Sequence, residues 1–124
     1  MSETTITPTQ ELYLQLMGNS SFNSLDGPQV AAALRANRAL WTGAVMVDDC
    51  AGVLTLRDLP DDYNSVCTLW ITTTDPQPFE RFAREWHADE FSHSKRGERG
   101  ERGADDNAIY LNNDRLSLVR MWWD

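Results

Sequence analysis

The chain has 124 residues, 41% of them apolar, with five Trp, four Phe and three Tyr; this is the size and composition of one domain that fills its own core without a structural metal or disulfide. Nineteen acids against eleven bases leave a formal charge of −8, and an acidic surface repels phosphate backbones, so general nucleic-acid binding is disfavoured. The apolar runs, as at 31–34 and 43–47, are too short to span a membrane, and the polar start with Glu3 and no base is unlike a signal peptide, so a soluble cytoplasmic protein is expected.

Taken in chain order, Thr7, Pro8 and Gln10 predict a helix start: Thr7 as cap, Pro8 in the first position, Gln10 closing a capping box. The helix runs to about Met17 with Leu12, Tyr13, Leu16 and Met17 as its apolar stripe, and Gly18 stops it. After a polar loop at 19–24, Asp26, Gly27 and Pro28 open a second helix whose inward face carries Val30, Leu34, Asn37 and Trp41, with Arg35 and Arg38 facing out. Strands at 44–47 and 53–57 follow, the second pairing antiparallel with a central strand at 66–73 that is apolar on both faces. Asp75 and Pro76 start a third helix, where Phe79, Phe82, Ala83 and Trp86 repeat at helical spacing and Glu80 with Arg84, and Arg81 with Glu85, pair on the wet face. A strand at 88–92 completes a parallel strand-helix-strand unit with a right-handed crossover. Residues 94–107 read as a flexible Arg/Gly/Glu loop, and 108–111 with 115–123 as a hairpin.

The expected fold is a single α+β domain over 1–124. It has a mixed, mostly antiparallel sheet of five to six strands covered by helices, containing one strand-helix-strand crossover.

Motifs that carry chemistry are sparse. Cys50 and Cys67 form neither a paired-thiol nor a zinc pattern and read as free thiols of a reducing compartment, and no cofactor is implied. His87 and Asp89, with His93 further on, place imidazole and carboxylate on one face of an extended segment, a donor set suited to a transition metal. His87 and His93 are roughly 20 Å apart along a straight strand, so only His87 and Asp89 are close enough to share an ion unless the chain bends. The loop from Lys95 to Gly103 holds four of the eleven bases and two of the nineteen acids, which leaves the rest of the chain at −10. Its Arg99 and Arg102 are candidate contacts for a partner, as are the turn acids Asp61 and Asp62. At the end of the sequence Trp122 and Trp123 alternate across a strand; the reading puts one in the core and the other, with Asp124, at an interface, and assigns Trp123 to partner binding.

No nucleophile elbow, phosphate loop, zinc-protease or dinucleotide fingerprint is present. The function expected is that of a small acidic cytosolic domain that binds, and inhibits, a basic protein partner, in the manner of an immunity or anti-defence inhibitor. The alternative is an enzyme or a small-ligand or metal-binding domain with a site near His87, Asp89 and Asp75. Self-association through an edge strand, with 115–123 as the example, is compatible with either.

Overall fold

The structure is a computed structural model that describes residues 5–19, 21, 22, 24–47, 67–95, 111 and 115–123. Among these residues three α-helices cover one face of a four-stranded antiparallel sheet. In chain order the elements are α1 (Pro8–Gly18), the short ribbon β1 (Ser21–Phe22) and β2 (Leu25–Asp26), α2 (Gly27–Ala36), a 3-10 turn (Arg38–Leu40), β3 (Gly43–Val47), β4 (Thr68–Thr73), α3 (Gln77–Glu85), β5 (Glu90–Lys95) and β6 (Ser117–Trp122).

The sheet order is β3-β4-β6-β5, with every neighbouring pair antiparallel. Among the described residues the main sheet therefore has four strands where five to six were expected, and β1 and β2 form a separate two-stranded ribbon. The strand-helix-strand segment runs through β4, α3 and β5. β4 and β5 each pair antiparallel with β6, so they run in the same direction but are separated by β6 and share no ladder. A strand supplied later in the chain, β6, stands between the two. β6 is thus an interior strand, so the edge once assigned to 115–123 belongs to β3 on one side and β5 on the other. The proposed strand at 53–57 and the first hairpin strand at 108–110 lie outside the described residues. Of the loop expected at 94–107, Ser94 and Lys95 end β5 and the remainder lies outside them.

Register decides which side chains meet. Met46, Leu69, Met121 and Phe91 form one row on the helical face, and Ala44, Ile71 and Val119 form the next. Leu14 and Met17 of α1, Val30 and Leu34 of α2, and Phe79 and Phe82 of α3 close the core over them. Trp41 follows the 3-10 turn into this core, and its indole donates to the Leu34 carbonyl at 2.8 Å, satisfying a group at the end of α2.

The expected face of α1 is corrected. Leu14 and Met17 are buried, whereas Leu12, Tyr13 and Leu16 are exposed. Leu14 with Met17 and Leu12 with Leu16 are both helical spacings, and periodicity alone does not say which set meets α2 and β3.

Cys67 is disulfide-bonded, which corrects its reading as a free thiol. The sequence holds one other cysteine, Cys50, outside the described residues. Thiols with no local motif meet when topology brings their segments together. Here Val47 stands opposite Thr68, and the Cys67 N–H donates to the Val47 carbonyl at 3.2 Å. With the free thiols goes the argument for a reducing compartment, since structural disulfides persist in oxidising ones.

Candidate functional site

The sequence-predicted residues fall at both ends of α3 and do not converge. Asp75 precedes the helix, and its carboxylate accepts the Gln77 N–H at 3.1 Å, a local capping role. Beyond the other end, nine helical residues later, lie His87 and Asp89, roughly 14 Å away at the helical rise. Asp75 and the His87–Asp89 pair thus stand at opposite ends of α3.

His87 has a structural task. Its φ is 60°, its N–H donates to the Arg84 carbonyl, and the Ala88 N–H donates to the Ala83 carbonyl. These two bonds are the Schellman arrangement, with His87 in the left-handed position and Ala88 tucked against the core. The chain leaves the helix at that kink, so His87 does not align with the later strand residues. Asp89 and His93 instead line a cavity of about 410 Å³ between α3 and β5, together with Glu80, Arg84 and Phe91. His93 packs its ring 5.9 Å from that of Phe91. Among the described residues no group of three or more His, Cys, Asp and Glu side chains is arranged to hold a metal ion.

Of the two C-terminal tryptophans, Trp123 is the core residue. It is fully buried, its indole donates to the Trp86 carbonyl at 2.9 Å and its backbone N–H donates to the Cys67 carbonyl at 2.8 Å. Trp123 is accordingly inaccessible to a partner, because the end of α3 presents an unsatisfied carbonyl that the indole reaches. Trp122 is half-buried on the opposite sheet face. On that face Arg120 links three strands: it pairs with Glu90 of β5 at 3.0 Å and lies 6.0 Å from the ring centre of Trp70 on β4. Asp61, Asp62, Arg99, Arg102 and Asp124 lie outside the described residues.

The surface that sequence reasoning missed is on α1. Leu12 is 65% exposed, Tyr13 43% and Leu16 37%, and the two leucines, four residues apart, share one side of the helix. Next to Tyr13 a groove of about 330 Å³ runs along β3, lined by Gln10, Val45, Trp70 and Leu118 among others. The signal was present in the sequence, since α1 carries more large apolar residues than one buried stripe can use. Glu11 on the same helix pairs with Arg35 of α2 through two short contacts, 2.7 and 2.9 Å, an exposed link between the two helices.

The chain matches no protein-family model, no curated protein and no solved structure with which it was compared. No helix among the described residues is long and apolar enough to cross a membrane.

Proposed function

We propose that the chain is a small acidic protein-binding domain that engages and inhibits a basic protein partner, as immunity and anti-defence inhibitors do. The observation that carries this reading is the exposed apolar face of α1, Leu12, Tyr13 and Leu16. Large apolar and aromatic side chains of this kind form the desolvated centre of protein interfaces, while surrounding charge sets partner choice and encounter rate. A net charge of −8 favours a basic partner at that face over a second acidic copy. Trp123 is buried and leaves the proposal, and Tyr13 of α1 supplies the aromatic contact instead. Asp61, Asp62, Asp124, Arg99 and Arg102 belong to the proposal on charge alone.

The test compares tagged wild-type protein with the double variant Leu12→Asp, Leu16→Asp as bait in the native cell extract, at low and high salt. One basic protein retained in stoichiometric amount by the wild type, released by salt and lost from the variant supports the reading. Equal capture by both baits, or none by either, overturns it. Circular dichroism of the variant confirms its fold, since both leucines are exposed.

The small-ligand alternative keeps one observation, the cavity that joins Asp89 to His93. Zinc titration by calorimetry on the wild type and His93→Ala decides it: heat that disappears in the variant supports the alternative, and its absence in the wild type removes the metal form of it.

A further inference from the structure

We propose that the outer edge of β3 is a strand-pairing surface for a second copy of this chain, and that the side chain of Gln10 holds it closed. Among the described residues β3 is the outermost strand on its side of the sheet, and its five residues, Gly43–Val47, carry no charge. Proteins blunt exposed strand edges with charged residues, bulges or covering elements. The opposite edge, β5, carries Glu90, His93 and Lys95, whereas β3 depends on cover.

Gln10 supplies that cover at a cost to its own helix. As the third residue of α1 it is placed to complete a capping box, and the first half forms, with the Thr7 hydroxyl accepting the Gln10 N–H at 3.2 Å. The Gln10 side chain turns away instead. Its amide oxygen accepts the Ala44 N–H at 3.1 Å, and its amide nitrogen donates to the Ala44 carbonyl at 2.6 Å. A primary amide offers the same donor and acceptor as a peptide unit, so Gln10 stands where one peptide group of a fifth strand would stand. By strand alternation the N–H and C=O of Met46 face the same edge. The groove beside it is lined by Tyr13, Val45 and Trp70, apolar surface that an added strand would cover.

A second copy fits this edge for a reason of symmetry. Antiparallel pairing of β3 with itself about a two-fold axis closes after two subunits and sets no charged side chain opposite a like one. The molecules as wholes repel, each at −8, so added salt strengthens this association. Salt weakens the hetero-partner contact proposed above, and the two readings stand or fall separately.

Sedimentation velocity of the full chain tests the idea with Gln10→Met, which keeps the side-chain length and loses both amide bonds. The wild type is expected to be monomeric. The variant is expected to dimerise about tenfold more tightly, the equivalent of one hydrogen-bond exchange, and more so as salt rises, with Val45→Lys added to it restoring the monomer. Gln10→Ala provides a second variant should Gln10→Met fold poorly. Variants that fold and remain monomeric at all salt concentrations overturn the proposal, as does a dimer that survives Val45→Lys.

Discussion

At His87 the backbone takes a φ of 60°, a region that side chains other than glycine enter at a cost and that the end of α3 imposes through its two terminal hydrogen bonds. His87→Gly is expected to raise stability by about 0.5–1 kcal/mol, read as a shift in the urea midpoint at constant slope. An essential ligand at this position would show the opposite pattern, with a bound ion lost and no gain in stability without it. The hydroxyl of Ser117 is buried with no hydrogen-bond partner among the described residues, and an unsatisfied buried donor costs about 1–3 kcal/mol. Ser117→Ala should therefore stabilise the fold by about 1 kcal/mol in the same assay, and a loss of stability would show that the hydroxyl has a partner after all. Trp123→Phe acts in the reverse direction. It leaves the Trp86 carbonyl without the indole that now satisfies it, at about 1–3 kcal/mol on top of the loss of packing.

Among the elements, α1 makes the sharpest demand on experiment, because its two apolar sets have different fates. Leu14→Ala should cost about 2–5 kcal/mol in chemical denaturation. Leu12→Ala should stay within about 0.5 kcal/mol of the wild type. Equal costs would mean that the helix presents another face. This contrast also shows how far the sequence could be read. α3 was legible because Phe79, Phe82, Ala83 and Trp86 are its only apolar set, whereas in α1 two sets compete and the choice rests on tertiary contact with α2 and β3. Gln10 shows the same limit, since a residue placed for local capping gives its side chain to a strand thirty-four positions away. β4 was recognised by its apolar character on both faces, but its neighbours were not, because nothing along the chain records that β6 enters beside it. The candidate site fared in the same way. Asp89 and His93 do share a cavity, while His87 is withdrawn from it by the helix-ending kink that its own sequence context conceals.

For the molecule as a whole, the disulfide at Cys67 cross-links the chain just before the start of β4. Cross-linking a loop of the length that separates Cys50 from Cys67 is worth about 3 kcal/mol in the chain-entropy treatment. Thermal unfolding with and without a phosphine reductant should show a clear fall in midpoint on reduction, and intact mass under non-reducing conditions should be two hydrogens below the fully reduced chain. An unchanged midpoint would mean that the bond contributes nothing to the fold. The position of β6 carries a different consequence, one for biosynthesis. β6 is the last sheet strand to leave the ribosome, yet it lies between β4 and β5 and is the strand through which β5 joins the sheet. A nascent chain can form the β3–β4 pair and α3 early, while β5 waits without its described neighbour until β6 arrives. The ladder closes from the middle, after translation has passed every other strand, and during that interval the open flank of β4 is the feature a chaperone would have most reason to shield.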